Sequence, residues 1–312
     1  MPSDQYVAAG QSTGLRTRLG MASKTARLDA ARFGPWALIT GASSGIGRGF
    51  AEQIAANKIN VVLAARRLPA LDELGRELAA RHGIRFRSLR ADLAGPDFMD
   101  AVMGETQDLD IGLVVSNAGD MVLGEFVTGD YALLARETTL NVNSHLAIAH
   151  HFGQRLARRG EGGLLLVSST AALQAVPYTA NYSAAKAYVL NLGEGLHHEL
   201  APKGVNVTVV LPGATRTPML SRFGADKGSL GRLAMPVDIC VADALNSLRA
   251  NRAVRVSGRM NRLAATLPRS VRTRLFGALS KSMAQQASAA DTGVPAVDRP
   301  GNAAGPGAVM PR

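Results

Sequence analysis

The 312-residue chain is 46% hydrophobic and 19% charged, with 33 glycines, one cysteine and a formal net charge of +11. This balance suits a globular protein of one large domain plus appendages; the single Cys240 excludes an internal disulfide framework, and no Cys or His spacing resembles a zinc site, so no metal is expected. No apolar run reaches the roughly 18 to 20 residues of a membrane-spanning helix and the N-terminus lacks the order of a secretory signal, which makes the cytoplasm the default compartment.

Residues 1–33 are rich in Ser, Thr, Ala and Arg without sustained periodicity and read as a mobile leader, in which Met21 offers an alternative start. From Trp36 onward WALIT, INVVLAA, RFRSLRA, IGLVVS, GLLLVSS and VNVTVVLP read as strands, most of them separated by stretches long enough for helices. The His150/His151 and His197/His198 pairs fall inside those helical patterns and read as structural. This rhythm of βαβ units predicts a single α/β domain over 34–258, a doubly wound parallel sheet with helices on both faces and ligands beyond the carboxyl ends of the strands.

After Pro236 come a helix, VDICVADALNSLRA, and a short final strand, AVRVSG. Residues 259–287 then read as a basic helical extension interrupted by Pro268, with Val271, Leu275, Leu279 and Met283 as its apolar stripe. Between Arg249 and Lys281 stand nine Lys or Arg and no Asp or Glu, so most of the positive charge is local to this end of the chain. Without interleaved aromatics or a nucleic-acid module, nucleic acid is not expected as a partner; the basic stripe suits peripheral contact with an anionic membrane surface through 260–287, or docking on its own domain. Residues 288–312 form a Pro/Gly/Ala tail too poor in apolar surface to order itself.

WALITGASSGIGRGFAEQIAA is a strand, a glycine-rich turn and a helix opening in succession. Gly41, Gly45 and Gly47 let the backbone turn sharply and approach a pyrophosphate, and the helix N-terminus offers free N–H groups to it. At the end of the second strand, where an acidic residue would select NAD, stand Arg66 and Arg67. A guanidinium binds a 2'-phosphate bidentately, so NADP(H) is expected over NAD(H), with Arg66 as the nearer group.

TGASSGIG at 40–47, Asp92, NAG at 117–119, Asn141, Ser169, Tyr182-x-x-x-Lys186 and PGATRT at 212–217 together resemble the short-chain dehydrogenase/reductase family, over residues 34–258. FGPWALITGASSGIG and the RMNRLAATLP stretch are similar to its DltE-like and 3-oxoacyl or hydroxysteroid reductase branch. The resemblance implies a Rossmann fold and an oxidoreductase interconverting a ketone and a secondary alcohol, commonly as a homodimer or homotetramer. It implies that Gly41, Ser43, Ser44, Gly45, Ile46 and Gly47 surround the cofactor phosphates and ribose, and that Asp92 and Leu93 meet the adenine. Asn117, Ala118 and Gly119 would line the adenosine side, and Pro212, Gly213, Thr215 and Thr217 the nicotinamide. Two departures stand out: Ser116 replaces the first of the family's paired asparagines, and Ser44 sits where some NADP members carry a basic residue, which puts more weight on Arg66.

Ketone reduction needs a hydride at carbon and a proton at oxygen. An ordinary tyrosine titrates near 10, about three units above neutrality, so Tyr182 needs a positive neighbour; Lys186, one helical turn on, is expected to lower it together with the oxidised nicotinamide. Lys186 also binds the nicotinamide ribose, by resemblance. Ser169, 13 residues before Tyr182, is chosen over Ser168 to hold the substrate oxygen, since strand alternation sends the two serines to opposite sides. Asn141 is assigned by resemblance to a water relay behind Lys186, with Asn143 its competitor. The segment TPMLSRFGADKGSLGRLAMP has three glycines and apolar Met219, Leu220, Phe223, Leu230 and Leu233, which suits a mobile lid over a hydrophobic carbonyl or alcohol substrate, or packing on the core. A scaffold or sensor that had lost its chemistry would be expected to lack Ser169, Tyr182 or Lys186.

Overall fold

The computed structural model describes residues 26–224 and 229–291. The expected leader up to residue 25 and the expected tail from 292 onward lie outside the described residues. In chain order the elements are α1 (Ala30–Phe33), β1 (Trp36–Thr40), α2 (Gly45–Ala56), β2 (Asn60–Ala65), α3 (Leu68–His82), β3 (Phe86–Arg90), α4 (Phe98–Gly104), β4 (Ile111–Ser116) and α5 (Tyr131–Thr138). They continue as α6 (Ser144–Arg159), β5 (Gly162–Val167), α7 (Ala180–Leu200), β6 (Val205–Leu211), α8 (Pro218–Arg222), α9 (Ser229–Leu233), α10 (Val237–Arg249), β7 (Val254–Val256), α11 (Arg259–Ala265) and α12 (Arg269–Asp291).

The strands form one parallel sheet in the order β3-β2-β1-β4-β5-β6-β7, each on the apolar run that predicted it, β5 starting one residue earlier at Gly162. Both faces are covered, so the central strands read as continuous apolar runs rather than alternating ones. Ala37, Ile39, Val61 and Leu63 face α2, α3 and α10 through Phe50, Ile54, Leu74, Leu78 and Leu245. Leu38, Val62, Val114 and Leu164 face α4, α6 and α7 through Val102, Ile148, Phe152 and Val189. The β1/β4 pairing is where the strand order reverses, and loops leaving the two strands diverge there to open a crevice.

Between α5 and α6 the helix widens into a π-type turn over Thr139–Asn143. Hydroxyls around it turn back on the helix: Thr138 Oγ1 donates to Leu134 O at 3.1 Å, Thr139 Oγ1 to Ala135 O at 3.1 Å and Ser144 Oγ to Leu140 O at 2.6 Å. Such bonds compete with the main-chain ladder and favour a local distortion.

Two parts of the chain depart from the sequence reading. Residues 26–33 pack on the body instead of belonging to a mobile leader: Ala26 and Phe33 are buried in the core, and Asp29 caps α1 by accepting from Ala31 N at 2.9 Å. A four-residue helix is too short to show a period in the sequence. Arg159 clamps it, donating to Arg32 O and Gly34 O, both at 2.8 Å, and to Asp110 Oδ1 at 2.9 Å. In α12 the expected apolar stripe is split: Val271, Leu275 and Leu279 are exposed and Met283 is half-buried, while Phe276, Gly277 and Ser280 face the body. A Cβ at Gly277 would come within 3.0 Å of Pro177, and Arg272 donates to Leu173 O at 3.2 Å, so close backbone approach sets the inward face.

Arg159→Ala should lower the urea midpoint by the equivalent of about 1–3 kcal/mol, because carbonyls around α1 lose a largely buried charged donor.

Candidate active site

The turn after β1 crosses the crevice and is clamped to the loop after β4. Thr40 Oγ1 accepts from Asn117 N at 2.9 Å and Ala118 N at 3.0 Å, and Asn117 Nδ2 donates to Thr40 O at 2.9 Å. Gly41 has φ +67°, and a Cβ there would lie 3.0 Å from Ala118 Cα. A Cβ at Gly47 would stand 2.2 Å from Gly41 O, which only glycine allows. The turn therefore presents a shallow cradle of backbone and small side chains at the start of α2, suited to a pyrophosphate approaching a helix N-terminus.

A cavity of about 710 Å³ runs from this cradle to the first turn of α7. Its nucleotide end is lined by Gly41, Ser43, Ser44, Gly45, Ile46, Arg66, Asp92 and Leu93, with Asn117, Ala118 and Gly119 on the β4 side. Arg66 and Arg67 are exposed at the end of β2, and Arg67 Nη2 donates to Ser43 Oγ at 3.3 Å. Asp92 is bidentate to Arg136 Nη2 at 2.7 and 2.9 Å. Burial pushes the Asp92 pKa up, but the Arg136 hydrogen bond, the Ala94 N–H and the charges of Arg136 and Arg66 prevail and hold it below the usual range. Pro212, Gly213, Thr215 and Thr217 line the opposite wall, where Asn261 of α11 abuts Gly213, 2.5 Å from where a Cβ would be.

At the other end the cavity holds Ser169, Tyr182 and Lys186. Ser168 Oγ donates to Lys186 O at 2.7 Å, so this buried serine is used in packing, whereas Ser169 Oγ accepts from Ala171 N at 3.1 Å and hydrogen-bonds Tyr182. Lys186 is 3% exposed; its Nζ donates to Val167 O at 3.1 Å and lies 5.8 Å from the Tyr182 ring centroid. Asn141, fully buried in the π turn, donates through Nδ2 to Asp120 O at 2.7 Å and Glu137 O at 3.0 Å. Its Oδ1 has no hydrogen-bond partner among the described residues. A Cβ at Gly119 would lie 2.7 Å from that oxygen and 3.0 Å from Lys186 Nζ, so Gly119 keeps the two apart without filling the space between them. Asn143 is exposed, which separates the two asparagines the sequence left in competition. Gly47 and Asn141 stand behind the cavity wall; the other residues assigned from the sequence to the catalytic set and the cofactor contacts line it.

The electrostatics differ from the expected pattern. Burial pushes the Tyr182 phenol up to about 12; the Ser169 hydrogen bond works the other way, and the Glu137 and Asp120 carboxylates raise it further. Burial also pushes Lys186 down to about 8, with Glu137 the charge that raises it. Among the protein's own groups, desolvation thus outweighs the depression of Tyr182 expected from Lys186. The phenol is held protonated.

Around the site, His145, Asp120 and Arg222 carried no sequence signal. Ser116, the departure from the paired asparagines, is hydrogen-bonded to His145 Nδ1 at 2.8 Å; burial, then the Lys186 charge, lowers His145 well below its ordinary value and keeps it neutral. Arg222 of α8 reaches back to pair with Asp120, tying the lid segment to the loop after β4. Met219, Leu220 and Phe223 of that segment line the cavity, but Leu233 points to solvent and Leu230 has no described side chain. The remaining wall comes from α12, through Phe276, Leu279, Ser280 and Met283.

Residues 35–228 match the family model for short chain dehydrogenase. The chain is 30% identical over 234 residues to a 7beta-hydroxysteroid dehydrogenase of Collinsella aerofaciens, covering 74% of this chain and 89% of that one. It is 34% identical over 191 residues to a very-long-chain 3-oxoacyl-CoA reductase of Neurospora crassa, covering 60% and 58%. Among solved structures, the short-chain dehydrogenase from Sphingobium yanoikuyae in complex with NADPH superposes with a TM-score of 0.67 at 30% identity, covering 85% of this chain and 98% of that one.

Proposed function

The chain belongs to the short-chain dehydrogenase/reductase family of oxidoreductases, and from that premise we propose that it interconverts a hydrophobic ketone and its secondary alcohol with NADP(H), using Tyr182 as general acid/base. The observation that carries this reading is the convergence of Ser169, Tyr182 and Lys186 at one end of a cavity whose other end is the glycine cradle. The nicotinamide cofactor, when bound, supplies or accepts the hydride. Gly41, Gly45 and Gly47 leave room for its phosphates, and Arg66 supplies a positive charge for a 2'-phosphate.

The chain's own residues account for the rest of the reaction. The Ser169 hydroxyl donates to the substrate oxygen and orients the carbonyl toward the Tyr182 phenol. Tyr182 passes its proton to that oxygen as negative charge develops there, and takes it back in the oxidative direction. Lys186, held by Val167 O, places a cation beside the phenolate that forms, and Asn141 fixes the floor beneath it. Leu140, Val176, Met219, Phe223, Phe276 and Met283 make the substrate end apolar, which favours a steroid-like or long-chain acyl ketone over a small polar one. The working form is a homodimer or homotetramer.

The compartment is the cytoplasm, with peripheral membrane contact through residues 260–287. Supporting that contact, Met260, Leu263, Val271 and Leu275 are exposed beside exposed Arg259, Arg269, Arg274 and Lys281. Leu279 is both 36% exposed and part of the cavity lining, so the outward row meets the mouth of the substrate site.

Tyr182→Phe should abolish turnover in an NADPH oxidation assay with steroid and long-chain 3-oxoacyl ketones while leaving the Kd for NADPH within about twofold; undiminished reduction by this variant would refute the mechanism. Arg66→Ala should weaken NADPH by about tenfold, or 1.4 kcal/mol, and leave NADH unaffected. A wild-type preference for NADH would overturn the 2'-phosphate argument. The full chain should float with vesicles of phosphatidylcholine and phosphatidylglycerol and Leu275→Glu should not; absence of wild-type flotation would remove the membrane contact.

A further inference from the structure

Glu137 belongs to none of the motifs that carry the family resemblance, yet it is 3% exposed, lines the cavity and stands one helical turn before Asn141. A carboxylate in such a place costs several kcal/mol unless its oxygens are matched by donors. Both are matched, by two different elements. Oε1 accepts from Val122 N at 2.8 Å, in the loop that continues from Asn117, Ala118 and Gly119. Oε2 accepts at 2.7 Å from Nδ2 of Asn181, the residue before Tyr182 in the first turn of α7. The second Nδ2 hydrogen reaches Leu134 O at 3.0 Å, which fixes the amide's orientation. The Glu137 main-chain oxygen accepts from Asn141 Nδ2. One residue therefore joins the π turn, the loop after β4 and the start of α7.

We propose that Glu137 is a positioning residue of the active site, its carboxylate fixing the turn that carries Tyr182 against the β4 loop and setting the negative charge that Tyr182 and Lys186 face. The charged groups around the phenol are few. Asp120 faces it from the loop after β4 and is itself neutralised by Arg222 of α8; Lys186 lies one turn on in α7; His145 of α6, next to Lys186, is neutral. Glu137 is the carboxylate that raises the pKa of both Tyr182 and Lys186, and burial raises its own pKa. It thereby favours the protonated phenol needed for reduction and the charged ammonium beside it. Glutamine at this position would offer one acceptor oxygen to two donors and turn its own amide N–H toward the second.

The test is the phenolate titration of Tyr182 in the NADP+-saturated full-length protein, read at 295 nm as the wild-type signal minus that of Tyr182→Phe. A neighbouring negative charge raises a phenol's pKa, so its removal lowers it. Lys186 is pushed down to about 8, so it is largely neutral wherever the phenol titrates above that pH and does not reverse the sign. Glu137→Gln should move the midpoint to lower pH by about one unit, and Glu137→Asp should leave it in place. A Glu137→Gln midpoint coinciding with wild type would overturn the proposal, since loss of packing alone does not move a titration in a fixed direction. Asn181→Ala breaks the tie but keeps the charge: kcat for a steroid or aryl ketone should fall about tenfold with the midpoint unchanged, and full kcat would defeat the positioning role. It also serves should Glu137→Gln not fold. The inference rests on Tyr182 as proton donor. Turnover surviving in Tyr182→Phe defeats that reading, whereas an inactive Tyr182→Phe with an unshifted Glu137→Gln defeats the inference alone.

Discussion

The crevice between β1 and β4 is the constraint on which the rest of the molecule depends. In a parallel sheet whose strand order reverses, the loops leaving the two middle strands must part, and the gap lies at their carboxyl ends. Here the gap is held to a fixed width by Thr40, whose hydroxyl and carbonyl together engage Asn117 and Ala118. That clamp places the glycine cradle on one side of the crevice and the Asn117–Ala118–Gly119 loop on the other. The remaining site residues are carried in by β5, α7 and the loop after β6, which extend the crevice into a single cavity.

Burial of charge is the second theme. Lys186 is a cation almost wholly removed from water, held by one carbonyl and opposed by the nearby Glu137 carboxylate. The same desolvation raises Tyr182 and lowers His145. Low local polarity strengthens each remaining interaction, so a bound nicotinamide of either oxidation state would change the balance more than it could in water. The site is organised to keep a proton on the phenol.

The seven strands, their order of appearance and the nucleotide turn were legible because apolar runs and glycine spacing are local signals, and the same holds for Ser169, Tyr182 and Lys186 as an ordered set. Three features were not legible, each for a physical reason. Residues 26–33 are held by contacts distant in sequence, Arg159 above all, and a single helical turn has no period to detect. In α12 the apolar residues at four-residue spacing left membrane contact and docking on the domain equally open; the packing surface is set by Gly277 against Pro177 and by Arg272 reaching Leu173 O. Glu137 in ARETTLN looks like one more charge on a helix surface, and only the fold brings Val122 and Asn181 to its two oxygens. The choice between Asn141 and Asn143 likewise needed the π turn, which directs one inward and the other to solvent.

The apolar end of the cavity is closed by a short helix, α8, and a C-terminal helix, α12, whereas the opposite end is built on the loops that leave the sheet itself. The most direct measurement of the central claim is isotope transfer from NADPH deuterated at the nicotinamide C4, with steroid and long-chain 3-oxoacyl ketones offered to the full-length protein and the products read by mass spectrometry. One deuterium on the new carbinol carbon, from one face of the nicotinamide only, is the predicted result. Alcohol formed without deuterium from either C4 face, or no alcohol from any ketone while NADPH binds normally, would contradict it.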